Sequence, residues 1–404
     1  DNTIILNMYY SNSFFRFIKE NKNEDIQKLR LKKWKCNDFD ISFAIDQIEI
    51  RKKIKSKLPT WADESELIFP GTLSFEQSSS ELTARYKQLF VSKEDTVCDL
   101  TGGLGIDSYY FSLKARYVTY LERNEDYCSI AEYNFKKLSV DNIQVIHSDC
   151  RDYLKNTSGQ FDVIYIDPAR RGKENKRLYA LQDCEPDILD MMFLLRTKGK
   201  KIVIKASPMV DITQVLRSLN CPVETHVLSV KNECKELIFF INGMNEGLSK
   251  ITCADINGIN ETVLYNFSPE TERRLPTLSY SQKIQAYLYE PNSSIMKAGA
   301  YKSISIDYNI EKIHPNSHLY TSNAYVKNFP GRQFEVIETA DFTGHVCKYL
   351  RHKYPKANIS TRNFFLSPDE LKKKLNIKDG GDIYIFATTR IDNKKILIIC
   401  KKAQ

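Results

Sequence analysis

The chain has 404 residues, with 59 Lys and Arg against 51 Asp and Glu, which gives a net charge of +8 with neutral histidines. It is 42% hydrophobic and 27% charged and has only 15 Gly and 13 Pro, so collagenous, low-complexity and wholly disordered proteins are excluded. A chain of this length is expected to form two or three domains. No apolar run approaches the roughly 18 residues of a membrane span. The sequence shows no basic start followed by an apolar stretch, so we predict no signal peptide.

The ten cysteines are scattered along the chain, and none forms a Cys-x-x-Cys pair. This argues against a zinc site and gives a disulfide framework no pattern. We therefore expect reduced thiols, a cytoplasmic location and no metal.

The charge is unevenly distributed. Residues 1–62 carry 13 basic and 8 acidic side chains (+5), residues 63–250 carry 24 and 28 (−4), and residues 251–404 carry 22 and 15 (+7). Basic flanks suit a polyanionic partner such as RNA, because Lys and Arg release counterions from phosphates. An isoelectric point near 8.8 is also common among soluble proteins that bind no polyanion.

The first part of the chain is predicted to be helical and the middle part to alternate. Residues 11–60 contain no glycine and a single proline, Pro59, which favours helices. Between 94 and 243, short apolar runs alternate with helical stretches, which predicts a mainly parallel sheet with helices on both faces. The last two runs lie so close along the chain that we expect them to pair antiparallel at an edge. The runs are 96–100, 117–121, 143–147, 163–166, 202–205, 223–230 and 237–241, and the clearest helix is 124–138.

After residue 250 the pattern changes to that of a small α+β domain. A hairpin is expected over 251–267, with its turn at Asn257-Gly258, and a helical region near 281–303. The expected domains are thus a helical region (1–62), an α/β domain (63–250) and a basic α+β domain (251–404). The tail is predicted to contain a strand at 334–338, a helix at 344–354, a strand at 357–362, a helix with a capping box at Ser367, and strands at 383–388 and 395–400.

A glycine-rich turn follows the first apolar run of the predicted sheet. The run ends in Asp99, and the turn reads Asp-x-Thr-Gly-Gly-x-Gly before a helix begins. Glycines let a backbone approach a ligand closely, although such a turn also occurs without any ligand. The next strand ends in Glu122, 23 residues later, and the third is followed by Asp149. Each acid alone fits a solvated strand end, but ligands bind at the carboxyl ends of parallel strands, and three consecutive ends carry one.

This pattern resembles the first motif of the class I S-adenosylmethionine (SAM) methyltransferases, with Thr101 in place of their usual first glycine. The resemblance implies SAM as cofactor, with the ribose hydroxyls bound by Glu122 and the adenine amino group bound near Asp149. The cofactor-binding residues that it implies are Asp99, Thr101, Gly102, Gly103, Gly105, Asp107, Glu122 and Asp149. The polar stretch at 76–81 is interpreted either as a cover for this site or, more simply, as a helix cap.

The fourth strand ends in Asp167-Pro-Ala-Arg170-Arg171, at the position that faces the methyl group in this family. Asp-Pro-Ala-Arg looks like the motif of the 5-methyluridine RNA methyltransferases, which need a nucleophilic Cys after the following strand. This chain has Ser207 there and no Cys, so we reject that reaction. We interpret Asp167 as a catalytic acceptor or weak base for an attacking nitrogen. Arg170, the second predicted catalytic residue, and Arg171 would hold a phosphate or a base edge, or the two arginines are a solvated pair.

The whole chain resembles the bacterial SAM methyltransferases that carry a THUMP-like C-terminal domain. The segments that support this are Asp-Pro-Ala-Arg-Arg, Lys205-Ala-Ser-Pro and the tail stretches 287–292, 297–300 and 360–363. The resemblance implies a structured RNA substrate, tRNA or rRNA, and we predict methylation at a base nitrogen. The alternatives are a protein or small-molecule methyltransferase, and a non-catalytic RNA-binding module on a methyltransferase fold.

Overall fold

The structure, a computed structural model, describes residues 11–35, 38–170, 181–243 and 247–403, apart from the side chains of Arg170 and Asp183. The chain divides into two compact units. The first comprises Asp1–Val223, Glu236–Glu246 and Gly258–Asn260, and the second comprises Glu224–Lys235, Gly247–Asn257 and Glu261–Gln404. The domain boundaries expected from the sequence stay a prediction. Within the described ranges, no helix has both the length and the apolar character needed to cross a lipid bilayer.

The described part of the first unit begins with helices, as the lack of Gly and Pro predicts. The first three begin at side chains that accept a backbone N–H of the first turn: Ser11, Asp25 and Asp40. Ile54 of the third helix lies in the same buried cluster as Tyr120 of the sheet, so the helical region and the sheet share a core. The helices are α1 (Asn12–Asn21), α2 (Ile26–Leu31), α3 (Ile41–Lys57) and α4 (Pro59–Ala62).

A mostly parallel sheet forms the rest of the first unit. Its strands are β1 (Thr96–Asp99), β2 (Tyr117–Glu122), β3 (Ile143–His147), β4 (Phe161–Ile166), β7 (Gly199–Ala206) and the part of β9 (Glu233–Asn242) from residue 236 onward. The order is β9-β7-β4-β1-β2-β3, and β9 alone of these strands is antiparallel to its neighbour, β7. The predicted fold class, with its antiparallel last strand, is therefore confirmed.

Helices connect these strands, as the alternating pattern predicts. The long helix expected at 124–138 is found at Glu125–Lys137 and is capped by Asn124, whose side chain accepts two backbone N–H groups. The helices are α5 (Thr72–Gln77), α6 (Glu81–Lys87), α7 (Ile106–Ser112), α8 (Glu125–Lys137), α9 (Cys150–Asn156), α10 (Ile188–Lys198) and α11 (Ile212–Leu219). Short 3₁₀ turns cover Gln88–Phe90 and Leu181–Asp183, and a separate two-stranded pair is formed by β5 (Ala169–Arg170) and β6 (Cys184–Glu185).

The second unit begins with three strands, β8 (Glu224–Val230), β10 (Lys250–Gly258) and β11 (Glu261–Phe267). The predicted hairpin is found, but β10 runs through Gly258, so the turn lies two residues later than expected. The expectation that residues 223–230 lie at a sheet edge is wrong, because β10 pairs in parallel with β8 along seven residues. Sequence proximity does not reveal such a pairing, since parallel neighbours are joined by a crossover rather than a tight turn.

A seven-stranded sheet completes the second unit, and its strands lie side by side in the order Glu311–Lys312, Tyr320–Ser322, Tyr287–Pro291, Gly331–Asp341, Lys395–Lys402, Ile383–Thr389 and Asn358–Arg362. The helical region expected near 281–303 is partly wrong, because Tyr287–Pro291 is a central strand buried on both faces, which removes the alternation that marks a strand. The capping box at Ser367 is confirmed. The strands are β12 (Tyr287–Pro291), β13 (Glu311–Lys312), β14 (Tyr320–Ser322), β15 (Gly331–Asp341), β16 (Asn358–Arg362), β17 (Ile383–Thr389) and β18 (Lys395–Lys402); the helices are α12 (Pro269–Arg274), α13 (Ser293–Ala298), α14 (Ser303–Asp307), α15 (Gly344–Lys353) and α16 (Pro368–Leu375).

One buried carboxylate joins three strands of this second sheet. The Glu290 side chain on β12 is only 2% exposed and forms ion pairs with Arg332 on β15 and Arg362 on β16. Arg332 Nε and Arg362 Nε donate to its two oxygens at 2.6 and 2.8 Å. The two arginines offset the cost of burying this carboxylate.

The turn between β1 and α7 requires glycine at two positions for packing reasons. A Cβ on Gly102 would lie 2.1 Å from the ring of Tyr120, and a Cβ on Gly105 would lie 2.7 Å from the ring of Phe135. Both rings are buried. A Cβ on Gly103 would have no neighbour closer than 3.8 Å, although its φ of +53° lies in the left-handed region.

We predict that Gly102→Ala destabilises the first unit by about 3 kcal/mol or more, because the buried Tyr120 ring has no room to move. Gly103→Ala should cost only about 1 kcal/mol, the strain of its positive φ. Both tryptophans, Trp34 and Trp61, belong to the first unit, so urea unfolding followed by tryptophan fluorescence measures it selectively. Adding Tyr120→Leu to Gly102→Ala should recover part of the loss. Equal costs for the two alanine variants would contradict this explanation.

Candidate functional site

The carboxyl ends of four neighbouring strands meet at one edge of the first sheet. Asp99, the last residue of β1, is level with Tyr120 on β2 and Tyr165 on β4. Glu122 at the end of β2 is level with His147, two residues before Asp149. The structure therefore brings Asp99, Glu122 and Asp149 to the same edge, as the sequence predicts. Their role in binding a donor stays a prediction.

Asp99 shapes the glycine turn from inside. Its side chain accepts the backbone N–H of Thr101 at 3.1 Å and the hydroxyl of Ser108 at 2.6 Å, and the residue is 1% exposed. Burial raises the pKa of this carboxyl to about 7; the nearby charges of Asp107 and Asp167 also raise the pKa, while the two hydrogen bonds lower it. Asp99 thus holds the turn and binds a proton far more readily than an exposed aspartate.

Glu122 and Asp149 both organise backbone at the strand ends. The two Glu122 oxygens accept the N–H of Gly103 at 3.0 Å and of Asn124 at 2.9 Å, which ties β2 to the glycine turn. Asp149 is exposed and caps α9, because its side chain accepts the backbone N–H groups of Arg151 and Asp152. Both carboxylates are therefore held in place by hydrogen bonds before any ligand is considered.

Thr101 connects the glycine turn to the end of β4. Its Oγ1 accepts the backbone N–H of Asp167 at 2.7 Å, one step beyond the bond from Leu100 N to the Tyr165 carbonyl at 2.9 Å. The threonine that distinguishes this sequence from the commonest motif therefore makes a hydrogen bond that a glycine lacks.

The Asp167 carboxylate is paired with Lys205, a residue to which the sequence alone assigned no role. Asp167 Oδ2 lies 2.6 Å from Lys205 Nζ, at the end of β7, and the Asp167 side chain is 36% exposed. Lys205 also lies 3.9 Å from Glu236 on β9. Burial by itself lowers the Lys205 pKa, but Asp167, Glu236 and Asp107 together raise it, so this lysine stays charged. A lysine at the end of an otherwise apolar run was the one available sequence signal.

A second buried lysine extends this cluster. Lys87 on α6 is fully buried and lies 2.9 Å from Asp107 and 2.7 Å from Glu236. The hydroxyls of Ser79 and Tyr165 each donate to Asp107 at 2.7 Å. Burial alone raises the Asp107 pKa, but Lys87 and Lys205 lower it overall. Asp107, which is predicted to bind the cofactor, is only 8% exposed. Both of its carboxylate oxygens already contact protein groups.

Two predictions from the sequence remain: the role of the arginines after Asp167 and the role of the polar stretch at 76–81. Arg170 pairs through its backbone with Cys184 in the short β5–β6 pair, while its side chain and Arg171 lie outside the described residues. The helix-cap interpretation is supported by Ser80, which caps α6 by accepting the N–H of Thr83. The neighbouring Ser79 instead joins the buried cluster.

Comparison with known proteins places the chain among methyltransferases. Residues 331–402 match the family model described as THUMP domain-like, and residues 287–330 match one described as a ferredoxin-like domain. A crystal structure of a proposed methyltransferase from Porphyromonas gingivalis W83 is similar over 97% of this chain and 98% of its own, with 36% sequence identity and a TM-score of 0.85.

Curated relatives match shorter segments. An uncharacterized RNA methyltransferase from Mycoplasma mobile is 34% identical over 136 residues, 33% of this chain and 34% of that protein. An uncharacterized RNA methyltransferase from Thermotoga maritima is 27% identical over 175 residues, so the chain spans between a third and two fifths of these first two relatives. A ribosomal RNA small subunit methyltransferase J from Coxiella burnetii is 26% identical over 204 residues, 46% of this chain and 80% of that protein.

We predict that Asp99 makes the first unit less stable as the pH rises. Because burial raises its pKa from 3.8 to about 7, the folded protein binds a proton more readily than the unfolded chain between these values. The free energy of unfolding should therefore fall between about pH 4 and pH 7, by at most about 4 kcal/mol in total. Asp99→Asn should remove this fall, as measured by urea unfolding at pH 5, 6, 7 and 8 with tryptophan fluorescence.

Ser108→Ala provides the matched test. The Ser108 hydroxyl lowers the Asp99 pKa, so its removal should move the fall in stability to higher pH. If wild type and Asp99→Asn show the same pH dependence, Asp99 does not titrate in this range and the prediction is wrong.

Proposed function

The chain belongs to the class I SAM-dependent methyltransferases that carry a THUMP-like C-terminal domain, and on that premise we propose that it methylates a base nitrogen of structured RNA, tRNA or rRNA. The observation that carries this proposal is the position of Asp167. This acidic side chain follows β4, is partly exposed, and is hydrogen-bonded through its backbone to the glycine turn that the family uses for its donor. An acceptor for the target and the donor turn are thus adjacent.

The strand ends fit the donor. A carboxylate offers about four acceptor positions, and Glu122 uses one on each oxygen for the N–H groups of Gly103 and Asn124. One position on each oxygen is left for a pair of ribose hydroxyls. We propose that Glu122 binds the ribose and that the segment around Asp149 contacts the adenine. When bound, SAM supplies a methyl group activated by its sulfonium.

The acceptor side needs alignment more than proton transfer. Since Asp167 Oδ2 is paired with Lys205, we propose that Oδ1 accepts an N–H of the target base and directs the nitrogen lone pair at the donor turn. The ion pair with Lys205 at 2.6 Å holds this carboxylate in place.

RNA as the substrate class is supported by the charge of the flanks and by the relatives. Residues 1–62 and 251–404 carry net charges of +5 and +7, and phosphate contacts contribute much of the affinity for nucleic acids. The curated relatives are named as RNA methyltransferases, one of them for ribosomal RNA. The cytoplasmic location expected from the sequence stays a prediction.

The test uses the full chain, tritiated SAM and total RNA from cells that lack the gene, with methylated nucleosides identified by mass spectrometry. We expect wild type to methylate one nucleoside, Asp167→Asn to lower the rate by about 100-fold, and Glu122→Ala to weaken SAM binding at least about tenfold in calorimetry. Asp162→Asn is the matched control. This carboxylate lies at the opposite end of β4, pairs with Lys200 at 2.7 Å, and should leave the rate unchanged.

Two outcomes would contradict the proposal. SAM binding without methylation of any nucleoside would exclude RNA and favour a protein or small-molecule substrate. Absence of SAM binding would favour a non-catalytic RNA-binding module.

A further inference from the structure

The side chain of Thr101 connects the glycine turn after β1, where we propose that the donor binds, to Asp167 after β4, where we propose that the target base binds. We propose that Thr101 is a positioning residue: its hydroxyl holds the backbone of Asp167 at a set distance from the donor turn, and so determines the turnover rate rather than the affinity for the donor. This inference rests on the proposed function.

Asp167 is held through both its backbone and its side chain. Its backbone N–H donates to Thr101 Oγ1 at 2.7 Å, and its carboxylate is paired with Lys205 at 2.6 Å. The Thr101 bond is directed toward β1 and the Lys205 bond toward β7, the two strands that flank β4. Asp167 is therefore anchored from both neighbouring strands, one anchor for its backbone and one for its side chain.

The Thr101 bond lies directly beyond the last backbone hydrogen bond between β1 and β4. Along β1 and β4, backbone pairing ends with the bond from Leu100 N to the Tyr165 carbonyl. Beyond it the chain turns into the glycine segment, where Gly102 N donates to the Leu121 carbonyl on β2 instead. The Thr101 hydroxyl thus takes the place of a backbone carbonyl and extends the β1–β4 connection by one step, up to the acceptor residue.

Methyl transfer depends strongly on the alignment of the reacting atoms. Transfer of a methyl group requires the nucleophile, the methyl carbon and the sulfur to be in line, and a displacement of about 1 Å is enough to lower a rate about 100-fold. Loss of the Thr101 bond frees the Asp167 backbone while leaving the Glu122 contacts to the turn intact. The rate should therefore fall without an equal loss of donor binding.

The same two strands contain a matched control at their other end. Thr96 Oγ1, at the start of β1, accepts the N–H of Asp162 on β4 at 3.3 Å and donates to the Asp162 carboxylate at 2.9 Å. This pair has the same chemistry as the Thr101–Asp167 pair but lies about 16 Å away along the strand, at the amino end of the sheet. Thr96→Val removes a β1–β4 hydroxyl bond without touching the candidate site.

The experiment compares Thr101→Val, Thr101→Ser and Thr96→Val in the full chain. Thr101→Val should lower kcat for methyl transfer to RNA by about 10- to 100-fold, with the Kd for SAM changed less than about threefold. Thr101→Ser, which retains the hydroxyl, should keep most of the activity, and Thr96→Val should leave kcat unchanged. In an Asp167→Asn background, Thr101→Val should have no further effect on kcat, because Thr101 acts through Asp167.

Hydrogen exchange of the Asp167 amide separates this inference from the proposed function. The amide should exchange faster in Thr101→Val than in wild type or Thr96→Val, whatever the substrate. If Thr101→Val retains full kcat, or if Thr96→Val loses as much, the positioning role is overturned. If wild type methylates no RNA while the amide is protected only when the hydroxyl is present, the proposed function fails, and the bond is structural.

Discussion

The first unit depends on keeping five buried or partly buried charges paired. Lys87 and Lys205 are almost completely buried, and their positive charges are balanced by Asp107, Glu236 and Asp167. Removing one member of such a group leaves an uncompensated charge in a region of low dielectric constant, at a cost of several kcal/mol. The cluster therefore links α6, α7, β7 and β9 to the residue that follows β4, and the orientation of Asp167 depends on side chains far away along the chain.

The strand ends at this edge are held by hydrogen bonds within the protein. Asp99, Glu122 and Asp149 each accept backbone N–H groups, which fixes the turn and the strand ends relative to one another. Such pre-organisation lowers the entropic cost of binding and of aligning reactants. The same edge contains Asp167, which is held but still partly exposed. The sheet thus fixes the positions of these side chains, and the Asp167 carboxylate keeps part of its surface exposed.

Much of the fold could be predicted because the interior strands are apolar and the connecting helices are capped by suitable residues. For the four strands between residues 96 and 166, the predicted and observed bounds agree within two residues, since a polar residue follows each apolar run. The acids at 99, 122 and 149 could be placed together because parallel neighbours end at the same edge. The partners of Asp167 could not be predicted: Lys205 and Glu236 meet because β9 lies antiparallel to β7, and Lys87 is contributed by a helix. Strand β12 was missed because burial on both faces removed its alternation.

The Glu290 cluster of the second unit limits how this part of the chain can be divided. The family models separate residues 287–330 from 331–402, yet Glu290 belongs to the first segment while Arg332 and Arg362 belong to the second. Strands β12 and β15, one from each segment, are also hydrogen-bonded neighbours in a single sheet. A fragment cut at this boundary would carry either an orphaned acid or two orphaned bases, together with an open sheet edge prone to aggregation. We therefore expect the two segments to fold as one piece.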